Sequence, residues 1–292
     1  MNNGLQVRPP GVETTLRPMH AGDLAAMHRL VQQMSWPHRP EDCAQLLRFG
    51  AGTAAVDAAG RICGVGMRWG FGRDVGTIGM VLVAPEQQGR GIGRALMTAL
   101  IADSGTRALM LNATAEGLPL YEKLGFVSAG FVRQHQARLA ERPVLPPAPA
   151  VPLRRAVPAD RAALCALDAA VFGADRSGLL GSLLTTGDAW LVDRAGLPVG
   201  FAVLRAFGRG TIIGPIVARG EDEAIALLAA AAKAAPPGVL RVDILGHAKR
   251  LAGWLAAAGL PAIDTVTTML RGRWPAMQKE PQRFGVALQA LG

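Results

Sequence analysis

A proline-rich segment near the middle of the chain limits the possible folds more than any other feature. The run from Arg142 to Pro152 reads RPVLPPAPAVP. Proline has no backbone N–H donor and a fixed φ angle, so this run can form neither a helix nor a central strand. We predict a semi-rigid, extended linker. It divides the 292 residues into a first domain at 1–140, a linker at 141–152 and a second domain at 153–292.

The two halves repeat the same order of local patterns. Leu16-Arg17 and Asp23 match Leu153-Arg154 and Asp160, and further matched segments follow at an offset of about 136 residues. Chance similarity in a chain rich in Ala and Gly is the alternative, but the shared order and offset favour a duplication. Each aspartate lies seven residues after the leucine and is predicted to cap the incoming helix.

Each half predicts a strand, helices, a run of antiparallel strands, and then a helix, a strand, a helix and closing strands. In the first half, the later elements are a helix over Gly91–Asp103, a strand over Ala108–Asn112 and a helix over Leu118–Leu124. Strands Met80–Val83 and Ala108–Asn112 flank a helix and should lie parallel across a crossover. The predicted fold class is mixed α/β, with a twisted, mostly antiparallel sheet flanked by helices in each half.

Composition excludes some classes of protein without choosing a function. The formal net charge is +9 and the basic residues are mostly arginines, which fits either a GC-rich genome or a positive field that attracts a polyanion. The three cysteines form no C-x-x-C pair and the histidines show no metal-ligand spacing, so we expect a reduced, cytoplasmic compartment and no metal. No signal peptide or membrane span is predicted, because the most apolar segment, 224–240, contains Lys233 and two prolines.

A glycine-rich loop follows an apolar strand and opens an amphipathic helix in the first half. Its glycines, in Gln88-Gly89-Arg90-Gly91-Ile92-Gly93, remove side chains where a ligand would approach the backbone. Free amides at the start of the helix form an anion site, and Arg90 and Arg94 add positive charge. The loop has neither the spacing of a dinucleotide fingerprint nor that of a Walker-type phosphate loop.

This loop resembles the Q/R-x-x-G-x-G/A signature of the GCN5-related N-acetyltransferase (GNAT) superfamily. Leu120-Tyr121-Glu122-Lys123-Leu124-Gly125-Phe126 resembles the family's second signature, at a spacing that the family commonly shows. The resemblance covers roughly residues 15–136. It implies two tandem GNAT-like domains, the first catalytic, and acetyl-coenzyme A (acetyl-CoA) as cofactor. An unrelated α/β domain with a coincidental glycine-rich turn is the alternative.

The resemblance implies a role for Tyr121 as the proton donor to the departing coenzyme A thiolate, where a core tyrosine is the alternative. Phenol and thiol pKa values are similar, so this proton transfer is near balance. The family often has asparagine where this chain has Thr114, so either Asn112 or Thr114 is expected to contact the cofactor. The implied cofactor-binding residues are Val81, Leu82, Val83, Gln88, Gly89, Arg90, Gly91, Ile92, Gly93, Arg94, Asn112 and Thr114.

The acceptor site is less defined by the sequence. Trp36 falls in a region that helps to wall the acceptor site in the family, with a core or surface role as the alternative, and Met80 is a second candidate. An attacking amine must be neutral, so a carboxylate or a water chain is expected as general base. No residue stands out for this task. The candidates by position are Asp74, Glu86, Asp42 and His135.

The second half resembles a degenerate copy of the first. In place of the glycine-rich loop it has Arg219-Gly220-Glu221-Asp222-Glu223, whose carboxylates would repel a pyrophosphate. Leu255 aligns with Tyr121. Cofactor binding there is not expected. A structural role is favoured, and a small pocket shaped by Gly214-Pro215 and Asp243 is the alternative.

The sequence therefore predicts an acetyl-CoA-dependent N-acetyltransferase that acts on a primary amine of a small-molecule or peptide acceptor through a ternary complex. A coenzyme A-binding regulatory or sensor protein with a ligand-binding second half is the alternative, and Tyr121 favours the enzyme. Nucleic-acid binding ranks third, because the arginines are dispersed and no helix-turn-helix is apparent. We expect a cytoplasmic monomer or homodimer without a membrane partner.

Overall fold

The computed structural model describes residues 14–139, 144–277 and 280–292. The elements of the first half are β1 (Thr15–Pro18), α1 (Leu24–Gln33), α2 (Pro40–Phe49), β2 (Ala51–Val56), β3 (Ile62–Phe71), β4 (Val75–Val83), α3 (Ile92–Asp103), β5 (Ala108–Ala113), α4 (Leu118–Lys123) and β6 (Val127–Leu139). The elements of the second half are β7 (Leu153–Arg155), α5 (Arg161–Phe172), α6 (Ser177–Thr186), β8 (Asp188–Arg194), β9 (Leu197–Phe207), β10 (Gly210–Ala218), α7 (Glu221–Ala234), β11 (Gly238–Leu245), α8 (Lys249–Ala257), β12 (Ala262–Arg271) and β13 (Gln282–Gly285).

The order of elements in the two halves is the same up to β12, as the repeat predicts, and β13 is an addition. The elements predicted at Gly91–Asp103, Ala108–Asn112 and Leu118–Leu124 are confirmed to within a residue at each end, whereas the strand predicted at Met80–Val83 begins earlier, at Val75. Local chemistry explains several boundaries. Pro40 occupies the first turn of α2, where its missing N–H costs nothing, and Gly173 ends α5 with a φ of 89°.

All described strands belong to one sheet, in the order β1-β2-β3-β4-β5-β12-β6-β11-β13-β10-β9-β8-β7. The strand that closes each copy of the repeat, β6 in the first half and β12 in the second, pairs with strands of the other half. β12 pairs antiparallel with β5 and with β6, and β6 pairs antiparallel with β11 along its length from Val132 to Leu139. The division of the sequence at 1–140, 141–152 and 153–292 stays a prediction. The sheet continues across this division, because β6 and β12 each pair with strands of the other half.

The hydrophobic core also spans both halves. One cluster of buried side chains joins Met27 and Met67 of the first half to Phe172 and Phe201 of the second. The described part of the linker, from Val144 to Pro152, is neither helix nor strand, and it packs on the second half. There the indole N–H of Trp254 donates to the carbonyl of Pro147 at 3.1 Å.

The repeat extends to individual ion pairs. Arg17 holds Asp23 through two hydrogen bonds of 2.7 and 2.8 Å, and Arg154 holds Asp160 with the same two distances. The sequence predicted that these carboxylates cap the following helix. This prediction is wrong, because neither carboxylate accepts from an amide inside that helix. Each accepts instead from a backbone N–H three residues earlier, on His20 or Val157, and so fixes the turn that precedes the helix. The same contact in both halves supports a duplication.

The described helices include none with the length and apolar character needed to cross a bilayer. Among the described residues there is also no group of three or more His, Cys, Asp or Glu side chains placed to hold a metal ion.

The two repeated ion pairs predict an acid-sensitive fold. Hydrogen bonds from the arginines lower the pKa of Asp23 and of Asp160 to about 2, against about 3.9 in an unfolded chain. A carboxylate with a lowered native pKa stabilises the fold above its unfolded pKa, and this stabilisation is lost as pH falls through the native pKa. We expect the free energy of unfolding to decrease from about pH 4 to about pH 2.

Urea denaturation of a double variant, Asp23→Asn with Asp160→Asn, checks this expectation. The variant should be less stable at pH 7 and should lose less stability over the acid interval. Asp103→Asn changes an exposed carboxylate at the end of α3 and should keep the full pH dependence. Identical acid profiles for the wild type and the double variant would contradict the assignment.

Candidate active site

A bulge in β4 opens the sheet beside β5. Val65 and Met67 of β3 face Leu82 and Gly79 of β4, so two residues of β4 lie opposite one residue of β3. Met80, inside the bulge, has a φ of 52°, which is unusual for a residue with a side chain. Such a bulge bends its strand and increases its twist.

The bend separates β4 from its parallel neighbour. The two strands pair only from Val75 to Thr77, opposite Ala108 to Met110. Met80–Val83 and Ala108–Asn112 run parallel as predicted, but the paired residues of β4 are the earlier ones. No described strand pairs with Val81, Leu82 and Val83 on the β5 side. Their backbone groups on that side form an open strand edge.

The open edge leads directly into the glycine-rich loop. Gly89 and Gly91 have φ angles of 75° and 82°, which glycine adopts without steric cost. The side-chain amide of Gln88 donates to the carbonyl of Val83 at 3.2 Å and ties the loop to the end of β4. Ile92 begins α3 and is buried, which anchors the helix start.

The loop presents backbone amides and positive charge to solvent. Gln88 to Gly91 and Arg94 are exposed, and the first-turn amides of α3 have no partner within the helix. Gly93 brings the three elements together, because a Cβ built on it would lie 3.7 Å from Leu120 of α4 and 3.8 Å from Val83. The loop, the open edge and α4 therefore converge.

Tyr121 lies on α4 beside the open edge. Its ring packs in one cluster with Val81 and Phe126, at 6.2 Å between the centroids of the two aromatic rings. The hydroxyl donates to no described residue. Burial raises the pKa of Tyr121 to about 12, so the phenol keeps its proton at neutral pH. A Cβ on Gly117 would approach the tyrosine ring to 2.8 Å, so glycine at 117 makes room for the ring.

The two alternatives for a further cofactor contact differ in their surroundings. Asn112 donates to the carbonyl of Gln289 at 2.7 Å and accepts from the hydroxyl of Thr268 at 2.7 Å, so its amide holds the second half of the chain. Thr114 is exposed at the end of β5. Both assignments stay predictions, and the hydrogen bonds of Asn112 favour Thr114.

A cavity of about 300 Å³ lies next to Met80, on the opposite side of the bulge from the loop. Trp36, Met80, Asn112 and Thr114, all singled out by the sequence, line it together. The other lining residues come largely from the second half and were not predicted: Pro37, His38, Ile78, Gly79, Gln134, Arg241, Ile263, Asp264, Leu288, Gln289 and Ala290.

Among the described residues that line this cavity, one carboxylate, Asp264, forms no ion pair, and one of its oxygens accepts from the backbone N–H of Thr265 at 2.7 Å. Arg241 is held by Asp243 through two hydrogen bonds of 2.9 and 2.7 Å. Burial lowers the pKa of His38 to about 4, so its imidazole is neutral at pH 7. Asp264 is exposed to the cavity and is the one carboxylate among its described lining residues.

The four candidate bases named from the sequence all lie outside this cavity. Asp42 is committed to Arg39 and to the backbone amide of Gly208. One ring nitrogen of His135 lies 2.8 Å from the carbonyl of Leu260. Asp74 and Glu86 are exposed at turns. The better-placed Asp264 gave no local signal, because strand exchange brings it to the first half.

The second half lacks an equivalent open edge. β10 and β11 pair in parallel from Gly210 to Ile213, and β13 then inserts between them. Gly285 of β13 pairs with Ile216 on one side and with Ile244 on the other. The chain itself fills the slot that stays open in the first half.

Two further expectations for the second half have clear outcomes. Leu255 is buried in the core and Glu223 accepts from the backbone of Arg219 at 2.9 Å, which is consistent with a site that does not bind a pyrophosphate. The residues expected to shape a small pocket, Gly214-Pro215 and Asp243, are buried and packed against other groups of the chain. Gly214 packs against the carbonyl of Val286, and Asp243 is fully buried against Arg241.

Known proteins match both halves of the chain. Residues 51–128 and residues 164–285 each match a family described as an acetyltransferase (GNAT) domain. YitH of Bacillus subtilis, named an uncharacterized N-acetyltransferase, is 33% identical over 238 residues, covering 77% of this chain and 80% of the relative. The chain belongs to the GNAT acetyltransferase superfamily, with two GNAT domains in tandem.

Solved structures share the whole fold. A putative acetyltransferase from Pyrococcus horikoshii has a TM-score of 0.77 at 19% identity, covering 96% of each chain. A tandem GNAT protein from the clavulanic acid biosynthesis pathway has a TM-score of 0.60 at 16% identity, covering 88% of this chain and 98% of the other. At these identities the likeness concerns the fold, which is a tandem GNAT fold with a mixed, mostly antiparallel sheet.

The hydrogen bonds of Asn112 generate a stability prediction. Asn112→Ala leaves the Gln289 carbonyl and the Thr268 hydroxyl without a partner, so we expect the free energy of unfolding in urea to fall by about 1–3 kcal/mol. Hydrogen exchange should also accelerate at residues 286–292. Gln134→Ala is the matched control, because Gln134 lines the same cavity but bonds only to Gln136 of its own strand. Equal losses in both variants would contradict the role of Asn112.

Proposed function

We propose that the first half transfers an acetyl group from acetyl-CoA to a primary amine of an acceptor bound in the 300 Å³ cavity, within a ternary complex. One observation carries the proposal: the open edge of β4 ends at the glycine-rich loop on one side and at the cavity on the other. A cofactor along this edge would therefore have its phosphates at the loop and its reactive end at the cavity.

The residues present fit an extended, phosphate-bearing cofactor. The free edge at Val81 and Val83 would pair with the amide groups of the pantetheine arm in the manner of an added strand. The amides of Gln88 to Arg94 would hold the pyrophosphate, with help from the helix dipole and two exposed arginines. Bound acetyl-CoA would supply a thioester that is activated toward amines.

Two groups of this chain would then assist the transfer. A backbone amide near Leu82 would stabilise negative charge on the carbonyl oxygen. Tyr121 would donate its proton to the departing sulfur. The phenol is protonated over the whole neutral range, as a general acid requires, but burial raises its pKa further above that of a thiol, so the proton transfer is less balanced than the sequence predicted.

The charges of the cavity favour a cationic acceptor. With Arg241 neutralised by Asp243 and His38 uncharged, Asp264 gives the cavity a net negative character. We propose that Asp264 attracts the ammonium form of the acceptor and accepts its proton, directly or through water. The volume, at the lower end for ligand pockets, supports a small molecule over a peptide.

Calorimetric titration with acetyl-CoA tests the cofactor site. We expect about one site per chain with a micromolar dissociation constant, and binding weaker by about 100-fold or more in Gly91→Glu. This variant forces a side chain onto a φ of 82° and adds a carboxylate at the phosphate position. Gly220→Glu, at the equivalent helix start of the second half, should bind normally. No binding by the folded wild type would refute the proposal.

Thioester turnover with a panel of amines tests the role of Tyr121. We expect Tyr121→Phe to lower kcat by about 100-fold while the affinity for acetyl-CoA stays within about threefold. Gly117→Ala, which pushes the ring aside, should also lower kcat and leave binding intact. Wild-type turnover by Tyr121→Phe would contradict the proposal that Tyr121 donates a proton to the departing sulfur.

The same measurements separate the enzyme from the regulatory alternative. Tight acetyl-CoA binding without turnover of any amine would favour a sensor, whereas turnover in the wild type supports the enzyme.

A further inference from the structure

A second and larger cavity, of about 670 Å³, lies at the other end of the β6–β12 pair. The first cavity is lined by Gln134 of β6 and Asp264 of β12, and the second by Phe131 of β6 and Thr268 of β12. The second cavity is therefore the counterpart of the acceptor cavity in the second half. It adjoins the slot that β13 fills, so a cofactor arm has no route to it.

The walls of this second cavity are mainly apolar. Phe131, Val171, Leu270, Trp274 and Met277 all contribute to the lining. The indole N–H of Trp274 is already used, because it donates to the carbonyl of Phe172 at 3.0 Å. The cavity thus offers apolar and aromatic surface to the body of a ligand, and its described lining contains no carboxylate.

Arg283, on β13, is the charged group in this lining. Its Nε and Nη1 atoms are buried and donate to no described residue. The guanidinium carbon lies 5.3 Å from the centre of the Phe172 ring. Burial and the neighbouring Arg176 lower the pKa of Arg283 to about 9, so the group is still cationic at pH 7.

The nearest carboxylate does not compensate this charge. Asp168 is held by Arg176 through two hydrogen bonds of 2.6 and 2.9 Å, and Arg176 also donates to the carbonyls of Leu291 and Gly292. The pair of arginines therefore shares one side-chain carboxylate. Buried guanidinium atoms without a hydrogen-bond partner are costly, and an anion in the cavity would give Arg283 a further counterion.

We propose that the second cavity is a ligand-binding site for a small monocarboxylate with an apolar or aromatic body, whose carboxylate is held by Arg283. The body of the ligand lies against Trp274 and Phe131, and its carboxylate pairs with the part of the Arg283 guanidinium that lines the cavity. The site is separate from the acetyl-transfer site and requires no cofactor. Its occupation and the transfer reaction are consequently tested by different measurements.

Matched pairs of acids and amides test this site on the full chain without acetyl-CoA. Indole-3-acetate and 3-phenylpropionate, titrated by calorimetry, should bind at least about 10-fold more tightly than indole-3-acetamide and 3-phenylpropionamide. In Arg283→Met the acids and the amides should bind with about equal affinity, because methionine keeps much of the bulk of the side chain and loses its charge. Arg273→Met removes an exposed arginine of the neighbouring loop and should keep the preference.

A second variant, Met277→Glu, tests the same site independently of whether Arg283→Met folds. Met277 is 51% exposed at the rim, so Met277→Glu should fold and place a competing carboxylate beside Arg283. We expect acid binding weaker by about 10-fold or more in this variant, with amide binding little changed. Equal binding of acids and amides, an unchanged preference in Arg283→Met, or no binding up to about 10 mM ligand would overturn the proposal.

Discussion

Backbone pairing across β5, β12, β6 and β11 joins the two halves, and the geometry of the site depends on it. β6 is hydrogen-bonded to β11 along Val132–Leu139, and β12 is hydrogen-bonded on both sides. Buried backbone groups must be paired. In this arrangement β12 therefore completes the sheet of the first half beside β5, and β6 completes the sheet of the second half beside β11. The shared core below this sheet adds side-chain packing to the same connection.

The exchange also determines what surrounds the bulge in β4. β12 lies next to β5 and brings Thr268 to Asn112 and Asp264 to the cavity. The amide of Asn112 then fixes the carbonyl of Gln289, so residues near the end of the chain wall the same space. The open edge, the loop and Tyr121 of the proposed site are local to the first half. The proposed acceptor cavity is assembled from both halves.

This difference explains which features could be predicted from the sequence. The loop, α3, β5 and α4 are encoded by glycine positions and apolar periodicity within about 40 residues, and the structure agrees with them. Gly79 stands next to the bulge, but the positive φ angle falls on Met80, a residue type that gives no sign of it. The placement of Asp264 and Leu288–Ala290 depends on contacts between segments more than 100 residues apart, for which a single sequence offers no local signal.

One segment near the end of the chain explains how two copies of a fold came to differ. Its first part, β13, fills the slot between β10 and β11, and Arg283 within it lines the second cavity. Only a few residues later, Leu288–Ala290 line the first cavity and pack against Gly79 of β4. The same segment thus fills the slot in one half and completes the proposed acceptor cavity in the other. A ligand on Arg283 would contact this segment at one end, and an acceptor in the first cavity would contact it at the other.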